Sequence, residues 1–271
     1  MSTTTRPRRV ASGAQITSSL VTGWAVGLPL LRIGVVAAAS VITWAVVQLI
    51  EPGIAFPPPS LLASLAMFPV NLICLFLVAR LLKRVGSSIR ELLGFDRRRL
   101  LTDLLQGLLW VLVLYLPFAG TIMLVIWLQH GDQMFERMQT VFFDPAAVPT
   151  LNPVAWTILG ILTVLTFAPV NAPTEELVYR GIGQGVLARR IPTALAVLSS
   201  AVLFGLQHVW YAATPDAVLP LACAFVVWGA GSGLIYLRQR RLMPVVFAHG
   251  LVNLVFTLPA LAIPYFLANG G

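Results

Sequence analysis

Residues 104–128 read LLQGLLWVLVLYLPFAGTIMLVIWL, a run without one charged side chain. As a helix rising about 1.5 Å per residue it is about 38 Å long, more than the ~30 Å of hydrocarbon in a bilayer. Working outward, similar runs fall at about 29–50, 61–82, 154–173 (apolar toward 188), 192–211, 217–237 and 242–267. The whole chain of 271 residues is 58% hydrophobic and 10% charged, with mean hydropathy +0.87. Soluble domains carry about 25% charged residues. A soluble globule, a disordered chain and a nucleic-acid-wrapping protein are all excluded, and the expected fold is all-α, a polytopic transmembrane helical bundle of seven spans or eight.

The few charges are unevenly placed. Of 18 cations all but Lys83 are arginine, set against ten carboxylates. Segment 1–19 is basic and 51–60 (EPGIAFPPPS) carries only Glu51. Segment 80–99 holds Arg80, Lys83, Arg84, Arg90, Arg97, Arg98 and Arg99 against Glu91 and Asp96. Segment 129–153 is acidic; Arg189 and Arg190 follow, then a loop with only Asp216, then Arg238, Arg240 and Arg241. Cation-rich loops stay cytoplasmic, so the N-terminus is expected inside and the last span to end outside. No cleaved signal is read, because the first apolar run is too long for one. Pro29 and Arg32 place 20–31 at the interface before the first span. Cys74 and Cys223 lie in apolar runs and read as core residues, without the spacing of a metal cage or disulfide framework.

Charge inside a span costs several kcal/mol and needs a reason. Glu175 and Glu176 stand in VNAPTEELVYRGIGQG. Glu176 and Arg180 are spaced i,i+4 and can pair, while Glu175 projects from another face. Pro173–Thr174 reads as a helix start with Thr174 as its cap. Phe204 and His208 share a face, as do His249 and Asn253. Counted from the nearest cytoplasmic boundary, Glu176 is about 20 Å deep, His208 about 24 Å, His249 about 12 Å and Asn253 about 18 Å. One mid-membrane layer can therefore hold them all.

Such a group can perform hydrolysis: a carboxylate activates water, a histidine relays the proton, and a second histidine with an amide steadies an oxyanion. H-E-x-x-H is absent, and so is a Gly-rich phosphate loop. Gly229-x-x-x-Gly233 reads as a helix-packing face.

These residues resemble the motifs of the CPBP family, the CAAX proteases and Abi-like bacteriocin-processing membrane proteins. The matching motifs are Glu175-Glu176-x-x-x-Arg180, Phe204-x-x-x-His208 and His249-x-x-x-Asn253, within roughly 150–260. The resemblance implies an intramembrane endopeptidase with a helical core and a cavity opening to the cytosol and lipid. In it Glu175 and His208 activate water, His249 and Asn253 steady the oxyanion, Glu176 and Arg180 support the site, and Phe204 lines it. The catalytic set expected is thus Glu175, Glu176, His208, His249 and Asn253.

The organisation expected is a basic cytoplasmic tail over 1–19, N-terminal transmembrane helices over 20–150 and a CPBP-like catalytic core over 151–271. The partners are a peptide or membrane-protein substrate and the lipid bilayer, with no nucleic acid, in the plasma membrane of a bacterial cell. No cofactor is expected. The alternatives are zinc held by Glu175, His208 and His249, and a non-catalytic immunity or scaffold protein. A proton-coupled transporter ranks lower, because no internal repeat is seen.

Overall fold

A computed structural model of the chain describes residues 20 and 22–261. Its helices are α1 (Thr22–Ile50), α2 (Ser60–Arg84), α3 (Ile89–Leu93), α4 (Leu100–His130) and α5 (Met134–Phe142). Then come α6 (Pro153–Glu175), α7 (Thr193–His208), α8 (Pro215–Gln239) and α9 (Met243–Thr257). Helix α6 continues without a break as a π-helical segment, Glu176–Gln184, and a final turn, Gly185–Leu187. Among the described residues there is no strand. The protein is a multi-pass membrane protein: among the described residues six helical stretches are long and apolar enough to cross a bilayer, and α9 is a shorter apolar one.

Local chemistry sets the helix starts. Asn152 accepts the Ala155 N–H ahead of Pro153, and Thr214 accepts the Ala217 N–H ahead of Pro215. Both combine a capping oxygen with a proline where no N–H is needed. Ser88 and Glu91 form a reciprocal capping box on α3. Leu101, Leu105, Leu108, Leu112 and Leu116 of α4 are exposed, as befits a helix whose outer face meets lipid rather than water.

The long helices form a closed ring. Packing runs α1–α2–α6–α9–α4–α8–α7 and back to α1. The π-helical segment lies inside it, touching α1, α2, α3, α7 and α8, and every residue from Glu176 to Gln184 is buried. Small residues permit that closeness. A side chain on Gly205 would meet the Ala222 carbonyl and Val226 of α8, and one on Gly233 would meet Gln184 and Val197. Gly229 likewise abuts Ala201 and Phe204, so the expected Gly229/Gly233 packing face is present.

The two ends of the ring differ in charge. At one end Leu242 donates its N–H to the Leu93 carbonyl (3.2 Å), and Arg241 binds the buried Asp103 at 2.6 and 2.8 Å. The exposed Arg84, Arg97, Arg98, Arg99, Arg189, Arg190, Arg238 and Arg240 surround this end. At the other end Ala55 bonds Ala146 (3.3 Å), Thr214 bonds the Val141 carbonyl (2.6 Å) and Gln129 bonds the Asp216 carbonyl (3.3 Å).

Three expectations change. Helix α1 begins at Thr22, not near 29, and Arg32 is fully buried in its interior rather than lying at an interface. The preceding Pro29 is accommodated within that helix. Thr174 is not a cap, because its hydroxyl donates to the Val170 carbonyl (2.6 Å) within a continuing helix. The last apolar helix ends at Thr257, followed by a 3-10 turn to Leu261. Segment 1–19 and positions 262–267 of the last expected span lie outside the described residues.

The ring predicts opposite outcomes for two glycines. Gly205→Val forces α7 from α8 and is expected to lower the unfolding temperature in detergent, overpacking costing about 1–3 kcal/mol. Gly120→Ala, on an α4 face with nothing within 4 Å, is expected to leave it unchanged or raise it slightly. Equal melting of the two variants would contradict the close α7–α8 contact.

Candidate active site

The floor of the ring is organised by a cation. The Arg32 guanidinium donates to Glu175 (2.8 Å), Asn171 (3.0 Å), Asn71 (2.9 Å) and Gln207 (2.7 Å), joining α1 to α2, α6 and α7. Gln207 in turn donates to Glu175 Oε1 (2.7 Å) and accepts from the Tyr179 hydroxyl (2.9 Å). Glu175 Oε1 is therefore held on both sides. Its other oxygen, Oε2, is buried without a hydrogen-bond partner and lies 3.5 Å from His249 Nε2.

Glu176 faces elsewhere, as the spacing predicts. Its Oε1 accepts from His249 Nδ1 (2.9 Å) and lies 3.4 Å from Arg180 Nη1. The Arg180 guanidinium sits over the Phe204 ring, 4.2 Å from its centroid. Desolvated cation–π contacts of this kind contribute about 2 kcal/mol. His249 thus spans the two carboxylates, one at each ring nitrogen. A proton on Nδ1 directed at Glu176 fixes the imidazole and aims Nε2 at Glu175.

His208 is oriented by its own helix. Its Nδ1 donates to the Phe204 carbonyl (2.7 Å), leaving Nε2 as the acceptor of a neutral ring. The ring stacks on Phe225 with centroids 3.4 Å apart. Asn253, one helical turn beyond His249 on α9, has a buried Nδ2 without a partner.

Glu175, His208, His249 and Asn253 all line one cavity of about 610 Å³. Its walls are mainly apolar and include Phe118, Phe142, Phe167, Tyr211 and Trp228. Glu176 and Arg180 stand behind this wall. Phe204, expected to line the cavity, is also fully buried behind it and packs against His208, His249, Tyr179 and Phe225. The sidedness of the i,i+4 pair was readable, but which layer it occupied depended on α8 and α9.

The partners missed from the sequence are Arg32, Gln207, Asn71 and Asn171. Each lies within an apolar run, and each is 2% exposed or less. The usable signal was cost: an intramembrane polar side chain needs a partner, and Asn171 lies four residues before Glu175.

Residues 155–255 match the Rce1-like family model, described as type II CAAX prenyl endopeptidase Rce1-like. This segment belongs to the CPBP family. No curated protein and no solved structure matches the chain. The CPBP segment holds Glu175 through Asn253 but not Arg32 or Asn71, so the helices before it supply the cation on which the family segment's carboxylate rests. At the coarse level this is a CAAX-type protease core in a multi-pass membrane protein.

A zinc reading needs Glu175, His208 and His249 to converge as ligands. Among the described residues no three His, Cys, Asp or Glu side chains are arranged to hold a metal ion. The contacts of Glu175 Oε1 with the guanidinium and of His249 Nδ1 with Glu176 leave Glu175 Oε2 and His249 Nε2 outside those bonds.

Arg32→Ala is expected to destabilise the protein by about 3–5 kcal/mol, the usual consequence of stranding one partner of a buried ion pair. Thermal unfolding in micelles measures it, and Arg32→Ala/Glu175→Ala is expected to recover part of the loss. A single variant as stable as the wild type would show that the pair is not structural.

Proposed function

We propose that the protein is a metal-independent intramembrane endopeptidase of the plasma membrane, acting on peptides or membrane-associated proteins. The observation that carries the reading is the asymmetry of Glu175. One oxygen is pinned by Arg32 and Gln207, and the other is free at the cavity wall beside His249.

In this reading Glu175 Oε2 and His208 Nε2 take hold of one water, and Glu175 removes its proton as the oxygen attacks the scissile carbonyl. General-base catalysis of this kind contributes about 10²–10⁴-fold. The oxyanion receives hydrogen bonds from Asn253 Nδ2 and from Nε2–H of a His249 imidazolium whose Nδ1–H is held by Glu176, both preorganised donors. The proton taken by Glu175 passes to the leaving nitrogen as the C–N bond breaks, giving a carboxylate and an amine. Glu176 and Arg180 are positioning residues: they hold His249 and the π-helical segment. The Arg32 contact orients Glu175 without blocking its second oxygen.

Glu175→Gln preserves shape and the acceptor oxygen for Arg32 while removing the base. Its cleavage rate is expected to fall about 10²–10⁴-fold with lowered melting, because Arg32 loses its counter-charge, and that of Asn253→Ala about 10²–10³-fold with near-normal melting. Mass spectrometry of membrane peptides from cells expressing wild type or Glu175→Gln supplies the readout. A product that persists with Glu175→Gln defeats the proposed base. Activity is expected to survive exhaustive chelation; loss reversed by added zinc would overturn the metal-independent mechanism.

A further inference from the structure

The cavity wall holds a tyrosine whose hydroxyl no residue engages. Tyr211 lines the same cavity as Glu175, His208, His249 and Asn253, and its Oη is buried without a hydrogen-bond partner. Tyr179 of the adjoining network is also buried, but its hydroxyl donates to Gln207 (2.9 Å). A buried polar group left unpaired costs about 1–3 kcal/mol, so the Tyr211 hydroxyl needs a reason.

The local backbone puts this side chain beside His208. Helix α7 ends at His208, and the chain tightens into a 3-10 turn, Val209–Tyr211. The Ala212 N–H closes that turn on the Val209 carbonyl (3.3 Å). With three residues per turn, side chains at i and i+3 stand one above the other. Tyr211 accordingly stacks on His208, with ring centroids 5.7 Å apart and planes inclined at 30°. The charges of Glu175 and Arg32 both reach its hydroxyl.

Other unpartnered donors of the wall sit elsewhere. Asn253 Nδ2 and Trp228 Nε1 are also buried without partners. Asn253 shares α9 with His249, and the Trp228 ring lies 6.2 Å from the His249 ring. Both belong to the oxyanion side. Tyr211 belongs to the His208 side, where water is activated.

The valence of water defines what that side requires. In the proposed reaction its two protons point at acceptors, Glu175 Oε2 and Nε2 of a neutral His208. One lone pair has to face the scissile carbonyl carbon, and the other is open to a donor. Two contacts leave the molecule free to swing about the line between them, whereas a third fixes the attacking orientation.

We infer that Tyr211 is a further catalytic residue, its hydroxyl donating a hydrogen bond to the nucleophilic water and aiming that lone pair. The phenol proton stays on Tyr211. Water gives one proton to Glu175 as its oxygen forms the C–O bond, and the hydrogen bond from Tyr211 passes to the resulting hydroxyl. The inference deepens the proposed peptidase reading and rests on it.

The test is a double-variant cycle on purified protein in micelles. Its probe is a quenched fluorogenic peptide spanning a cleavage site that wild type produces and Glu175→Gln does not. Tyr211→Phe keeps the stacked ring and removes only the hydroxyl. Its kcat is expected to fall about tenfold, the worth of one hydrogen bond. KM is expected to stay unchanged, because the contact is to water and not to the peptide. The unfolding temperature is expected to hold or rise, since the lost hydroxyl had no partner. The same loss of kcat is expected in an Asn253→Ala background. With His208→Ala, read over long incubations, it is expected to shrink below about twofold, because that variant already frees the water. An unchanged kcat, a rise in KM alone or a lowered unfolding temperature would overturn the inference. So would a full loss in the His208→Ala background, or a loss that disappears with Asn253→Ala. A wild type that cleaves no membrane peptide would instead remove the peptidase reading, and the inference with it.

Discussion

A guanidinium buried within the membrane is the constraint on which the rest of this structure depends. Stripped of water, Arg32 has to find acceptors from protein alone, and it finds them on three other helices. Each of those acceptors is itself buried and polar, so neither side of the network can be removed without stranding the other. The packing of α1, α2, α6 and α7 is therefore specified by hydrogen bonding where hydrophobic contact cannot discriminate, since lipid is as apolar as leucine.

The same constraint divides the labour of two adjacent glutamates. Rotation along α6 sends Glu175 toward Arg32 and Glu176 toward Arg180 and His249. Each carboxylate is thus neutralised by a different cation while both hold one histidine between them. The π-helical geometry that begins at Glu176 widens the turn just where both must be presented, and such segments gather at functional sites. Buried packing of its glycines against Leu92, Leu242 and α1 keeps that stretch in place.

Much of this was legible in the chain. Apolar runs of span length located most of the helices to within a few residues, the start of α1 and the end of α9 excepted, because nothing else satisfies a backbone in hydrocarbon. Spacing paired Glu176 with Arg180 and placed His249 and Asn253 on one face, since both are properties of a single helix. Arg32 was misread because its meaning is not local. An arginine three residues after a proline looks like a membrane boundary until Asn71, Asn171, Glu175 and Gln207 are brought around it. Phe204 was misplaced by one layer for a similar reason: the face it shares with His208 is visible in sequence, but whether that face meets cavity or core is set by α8.

The sequence by itself determined that the protein is a multi-pass membrane protein and where most of its helices lie, and it singled out the candidate residues on which the proposed hydrolysis rests. Those follow from desolvation cost and from the helical period, which act along the chain. Only the tertiary structure decided that Arg32 belongs to Glu175, that one carboxylate oxygen is left free, and that Glu175, His208, His249 and Asn253 line one cavity. Those depend on which helices become neighbours in the ring, and distances between separate helices are written in no single segment.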